Sequence, residues 1–394
     1  MWQDAYDARI GAPLPAPVAT PAGWYPDPWT PGGYRWWDGR AWTGHVARPK
    51  GAVETGRKPR LPAWLSIPVL VSLVPVVPLL VFSLINAPVP ILASFVPILF
   101  VAPVLVWLDR VEPEPRPARW HAFLWGATVS ILVAGTINTI VALTISETAA
   151  VAVSAPLVEE SIKGLAVVWA LRRREIDGLV DGLVYAGWAA LGFAVVENTQ
   201  YFVAASDDGV LAQTFVARAV LTPFAHPLFT AWIGLAVGAA VAAGRSTRAA
   251  WWRGWVPAVA LHAAWNGSIT AASLTGEAGI IAVAALAFVA IFVVTIVQVV
   301  RMRRREERSF VAAVPLLIDR YALHPDEIRP YGRWREVHRA RQALPREQRA
   351  DFDDFRTALA RLASLHGRDG GPDPAEEARL REQLERARHA RQHH

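Results

Sequence analysis

The chain has 394 residues, 53% of them hydrophobic and 19% charged, with a formal net charge of +6. Its mean hydropathy is positive, which is unusual for a soluble enzyme of this length. Cysteine is absent, so disulfides, thiolate ligands and a cysteine nucleophile are excluded; the basic residues flank apolar runs rather than forming one patch, which argues against nucleic acid as a partner.

Residues 1–22 begin "MWQDAYDARIGAPLPAPVAT", without an apolar core after a basic start, and read as a disordered N-terminus rather than a signal peptide. Residues 23–46 form a compact tryptophan-rich unit in which "YRWW-DG-RAWT" predicts a β-hairpin, with Asp38-Gly39 as a two-residue type I′ turn. Aromatic hairpins of this kind bind proline-rich segments, so a protein ligand is one expectation; the other is that the rings only staple a tiny fold together. Residues 47–63 read as a Pro/Gly/basic linker.

From there to residue 300 the chain is a series of apolar runs, each near the ~20 residues that a helix needs to cross a bilayer core. Eight spans are predicted, at about 64–85, 89–108, 120–145, 148–171, 179–204, 216–243, 252–274 and 278–300, the first interrupted by Pro68, Pro75 and Pro78. Arginines follow spans two, four, six and eight, whereas the alternate loops "NAPVP", "ISET", "SDDGVLAQ" and "TGEAG" carry none. The positive-inside rule then predicts a multi-pass protein of the cell membrane with both termini in the cytoplasm. Residues 301–394 turn charged, with helical patterns over "EQRADFDDFRTALARLASL" and "PAEEARLREQLERARHARQ" split by "HGRDGGPDP". They predict a cytoplasmic helical tail. The fold class is therefore an all-α polytopic membrane protein of about eight helices, with a small N-terminal β unit and a helical C-terminal tail.

A charge at a bilayer centre costs about 2.5–3.5 kcal/mol on insertion scales, so such residues face the bundle interior with a partner or a task. Glu159, Glu160 and Lys163 lie in span four, Glu197 and Asn198 in span five, His226 in span six, and His262 and Asn266 in span seven. At ~1.5 Å per residue, the paired glutamates and His262 lie roughly 18 Å from the outer ends of their spans, His226 about 15 Å and Glu197 about 10 Å. One cavity can hold all of them. Glu159 and Glu160 stand four and three residues before Lys163, so the lysine can pair with either and leave the other available; His262 and Asn266 share a helix face. Gly164 and Gly192 allow close helix approach around the site.

Peptide hydrolysis by water needs a general base, stabilisation of the oxyanion and a proton donor for the leaving amine. Two histidines plus a carboxylate also make the ligand set of a catalytic zinc with an open position, with His226 and His262 joined by Glu197 or one of the paired glutamates. Other intramembrane protease chemistries fit poorly. The chain has no HExxH and no Gly-x-Gly-Asp within a span; Asp177 and Asp181 read as caps at a helix N-terminus, and Gly267-Ser268 lacks the setting of a rhomboid-type serine. A proton-coupled transporter also gathers carboxylates and histidines at mid-depth, and a catalytically inactive membrane scaffold is a third reading.

Residues from about 100 to 270 resemble the PrsW family of intramembrane proteases, through "DRVEPEP" (109–115), "EESIK" (159–163), "DGLVYAGWAALGFAVVEN" (181–198), "HPLFT" (226–230) and "HAAWN" (262–266). The resemblance implies a glutamate-dependent membrane protease, related to the prenyl-protein proteases. Glu159 would then be the leading base, working with His226, while His262 and Asn266 stabilise the oxyanion or hold a metal. It also implies membrane-anchored protein substrates, such as anti-sigma factors. The 23–46 unit resembles a short domain of unknown function recurrent in membrane proteins.

Overall fold

The computed structural model describes residues 21–26, 34–47, 66–110, 113–321, 323–324, 334–366 and 374–392. The expectations for residues 1–20, for most of the 47–63 linker, for Val111 and Glu112 of "DRVEPEP" and for the breaker at 367–373 lie outside the described residues. The chain divides into two compact units, one drawn from residues 1–57 and 308–394 and the other from 58–307.

In the first unit, β1 (Gly23–Pro26), β2 (Tyr34–Trp37) and β3 (Trp42–Ala47) form an antiparallel sheet in the order β1-β2-β3. The hairpin expectation is corrected in two respects. A third strand joins it, with Gly23 opposite Trp37. The β2–β3 connection is four residues long, because Trp37 pairs with Trp42. The Asp38 carboxylate accepts from Arg40 N and Ala41 N, both at 2.7 Å, and Gly39 alone takes a left-handed φ of 95°. The acidic side chain thus organises a longer loop than Asp-Gly alone would.

The second unit is helical. Its elements begin with α1 (Ile67–Asn86), α2 (Pro88–Ser94), α3 (Val96–Leu108), α4 (Arg116–Leu124) and α5 (Ile131–Thr144). The turn α6 (Glu147–Ala149), α7 (Ala155–Arg172), α8 (Leu179–Asp207), α9 (Leu211–Phe215), α10 (Ala225–Ala242) and α11 (Thr247–Thr275) follow. The last helix, α12 (Ala278–Tyr321), runs past the predicted end at 300. Three π-helical turns, Trp125–Ser130, Ala150–Ser154 and Val216–Leu221, join α4 to α5, α6 to α7, and α9 to the turn before α10.

By length and apolarity six helical segments among the described residues qualify to cross a membrane: Ile67–Asn86, Pro88–Leu108, Arg116–Thr144, Leu179–Asp207, Leu211–Ala242 and Ala278–Ala313. The helices over predicted spans four and seven are also formed, but the first carries Glu159, Glu160 and Lys163. The chain is a multi-pass membrane protein. Most leucines, valines and isoleucines of α1 face outward, as lipid-facing surface does, while Val69 and Val76 turn inward.

Helix α8 is the enclosed centre of this unit, with most of its residues buried. Small residues make this possible. A side chain at Gly182 would collide with the Gly234 carbonyl of α10, and one at Gly192 with the Phe123 carbonyl of α4. Without Cβ atoms there, the backbones close to contact. At its start, the Asp181 carboxylate accepts from Asp177 N at 3.0 Å and Gly178 N at 2.7 Å, the capping role expected of it.

After α12 come α13 (Trp334–Ala343), α14 (Gln348–His366) and α15 (Pro374–Gln392), the last two over the predicted tail helices. Leu317, Phe352, Phe355, Leu359, Leu362 and Leu380 form their core.

Candidate active site

The eight sequence-predicted residues meet around α7, α8, α10 and α11. A cavity of about 420 Å³ is lined by Glu159, Glu197, Asn198, His226, His262 and Asn266, together with Asn138, Tyr201 and Arg218. Glu160 and Lys163 lie behind this wall, both fully buried.

Adjacent positions on α7 point about 100° apart, and the two glutamates accordingly have different surroundings. Glu160 is saturated: it accepts from Lys163 Nζ at 2.6 Å, Thr230 Oγ1 at 2.7 Å and His262 Nδ1 at 3.0 Å. Glu159 is not. Its Oε1 has only Asn138 Nδ2 at 3.5 Å, and its buried Oε2 has no hydrogen-bond partner. That oxygen stands 3.9 Å from His262 Nε2 and 3.8 Å from Lys163 Nζ. A buried orphan acceptor of this kind calls for a water, an ion or a substrate.

The histidine tautomers follow from the partners. Lys163 only donates, so His226 Nδ1, 3.3 Å from Nζ, accepts, and Nε2–H donates to Glu197 Oε2 at 2.8 Å. His262 Nδ1–H donates to Glu160, which leaves Nε2 as a lone pair turned toward Glu159. The His262 ring is also stacked on Phe229 at 4.6 Å. Asn266 Nδ2 donates to the Val151 carbonyl at 3.0 Å, inside the π turn before α7.

Three contributors escaped the sequence reading. Arg218 pairs with Glu197, donates from Nε to Asn198 Oδ1 at 2.7 Å, and stacks over Tyr201 at 3.8 Å. Its signal was present: an arginine just inside an apolar run, with no acid in its own segment, needs one from another helix. Thr230 closes the "HPLFT" stretch but carries no charge, and Asn138 lies outside every quoted motif, so neither stood apart from packing residues.

Ligand atoms of Glu159, His226 and His262 all lie within 4.8 Å of one another. One carboxylate and two imidazoles suit a catalytic zinc. The orphaned Glu159 oxygen and the carboxylate behind His262 Nδ1 fit such an ion, since ligating histidines commonly donate their other N–H to a carboxylate. The third donor of this group is Glu159, while Glu197 is engaged by Arg218 and by His226 Nε2.

Residues 114–297 match the family model described as PrsW family intramembrane metalloprotease. A protease PrsW of Geobacillus kaustophilus is 30% identical over 161 residues, covering 40% of this chain and 69% of that protein. The chain belongs to the PrsW family. A second PrsW protease, from Clostridioides difficile, is 32% identical over 149 residues, covering 35% of this chain and 62% of that protein. Residues 22–55, which include the tryptophan-rich sheet, match a model described as protein of unknown function (DUF2510). No solved structure matches. PrsW membership makes this chain a membrane protease, and the cavity lies wholly within the segment matched to the PrsW model.

Proposed function

We propose that the chain is an intramembrane endopeptidase that cleaves membrane-anchored proteins with water activated by Glu159. The observation that carries this reading is the asymmetry of the paired glutamates: Glu160 is saturated, and Glu159 turns an unpartnered oxygen into the cavity beside His262 Nε2. Water between Glu159 and His262 would lose its proton to Glu159, which later returns it to the leaving amine. Asn198, with its carbonyl held by Arg218, turns its amide nitrogen into a donor for the developing oxyanion, and Asn266 offers a second amide. Lys163 balances Glu160, so the site need not hold two unpaired carboxylates.

Glu159, His226 and His262 are the residues that would hold a zinc ion, which supplies Lewis acidity and a more acidic bound water. Lys163 favours a metal-free version, since its ammonium already stands 3.3 Å from His226 Nδ1 and 3.8 Å from Glu159. Elemental analysis of purified wild type beside the His226→Ala/His262→Ala double variant separates the two. About one zinc per wild-type chain, lost in the variant, supports the metal. Near-zero zinc in both, with an active wild type, removes it and leaves the glutamate-dependent protease.

Both termini are assigned to the cytoplasm and the cavity to the outer half of the membrane, on the arginine distribution. Substrates cut near the outer surface, such as anti-sigma-like regulators, agree with that depth. The test of the activity is a tagged single-span reporter protein in proteoliposomes with the purified chain. Cleavage within the span or beside it is expected. Proton uptake without cleavage would establish the transporter instead, and neither activity in a folded protein would establish the scaffold.

A further inference from the structure

The tryptophan-rich sheet is too small to explain its own stability. Units below ~40 residues usually need a disulfide, a metal or a partner surface, and this chain has no cysteine. Its aromatic pairs, Trp24–Trp36 at 5.6 Å and Trp37–Trp42 at 5.3 Å, pack the sheet on itself without giving it a second layer.

Helix α15, at the other end of the chain, supplies one. The Arg381 guanidinium lies over the Tyr25 ring, 4.5 Å from its centroid. It is held there by Glu385, one turn further along, whose carboxylate accepts from Arg381 Nε at 3.0 Å. Tyr25 is buried, meets Trp42 edge-on at 6.0 Å, and donates its hydroxyl to the Pro21 carbonyl at 2.7 Å. At the start of β2, next to the Arg35 that pairs with Tyr25, Tyr34 is half-buried and feels the charges of Glu382 and Arg379 on the same helix. The opposite face of α15 is already committed, because Leu380, Leu384 and Ala387 are buried with Phe355 and Leu359 of α14.

We propose that α15 is the ligand of the tryptophan-rich sheet, so that the two ends of the chain fold together as one module on one side of the membrane. The chemistry recognised is a helix that presents an arginine braced by a glutamate four residues later, rather than an extended proline-rich peptide. Because both ends share a side, the region between them crosses the membrane an even number of times. The proposal is independent of the protease reading, and its test does not read activity.

The natural lack of cysteine makes that test clean in the full-length chain. Tyr34→Cys with Glu382→Cys, treated with a short bis-maleimide, should link within one molecule, scored on gels after cutting an engineered protease site in the 48–65 segment. Adding Arg381→Glu should remove the link, and Arg381→Lys should keep it. Cysteines that label singly but do not link, or that link only between chains, would overturn the proposal. Amide exchange guards against a disturbed sheet: with native cysteine-free sequence, Arg381→Glu should speed exchange of the β1 and β2 amides about tenfold, and unchanged exchange would equally overturn it.

Discussion

Two neighbouring glutamates on one helix stand in opposite surroundings. Glu160 meets three donors, one of them His262 Nδ1; Glu159 keeps an oxygen without a hydrogen-bond partner among the described residues. Thr230→Val removes a buried donor to Glu160 and should cost about 1–3 kcal/mol of stability, read as a lower unfolding midpoint in detergent, with His262 less well held and cleavage slowed. Arg218→Met should lower kcat about 10–100-fold while KM changes little, because Arg218 positions Glu197 and Asn198 rather than contacting the reporter. A change in KM alone would assign Arg218 to substrate binding. At this scale the ionisable residues other than Arg218 were legible from the sequence, since charge inside an apolar run demands an explanation. Which glutamate is free was not legible, because that depends on Thr230 and Asn138, uncharged residues that reach α7 from other helices.

The helices themselves were largely legible, because runs of apolar residues of bilayer length have few alternatives to a helix. Their irregularities were not. The π turn over Ala150–Ser154 turns the Val151 carbonyl to Asn266 of α11, and the one over Val216–Leu221 carries Arg218 to Glu197; neither shows in residue periodicity. The third strand of the N-terminal sheet was missed because "GWYP" is too short to show alternation. Gly182→Val should force α8 and α10 apart and cost about 1–3 kcal/mol or more, measured by thermal unfolding in detergent. In the C-terminal helices, His366 is packed against Tyr321, 2.8 Å away, near Glu377 and Arg320. Burial holds its pKa below the ordinary 6.5, with Glu377 opposing and Arg320 adding to the shift. The folded state therefore keeps His366 neutral while the unfolded chain takes up a proton. Stability of this unit should fall as pH drops below about 6.5, and His366→Gln should flatten that dependence in denaturant titrations.

For the whole molecule, the arginine distribution and the family resemblance converge on a membrane protease, and the PrsW match supports the enzyme class. Reporter fusions after residues 62, 115, 174, 248 and 305 should read cytoplasmic, and those near 87, 147, 208 and 276 should read outside. An outside signal at the arginines 172–174 would overturn the topology and the depth of the cavity with it. The substitution that bears most directly on the mechanism is Glu159→Gln, isosteric and neutral, at a cavity carboxylate whose buried Oε2 has no hydrogen-bond partner among the described residues. Cleavage of the single-span reporter by purified Glu159→Gln should fall at least about 100-fold, with the unfolding midpoint kept. A folded Glu159→Gln protein that cleaves at the wild-type rate would contradict the account.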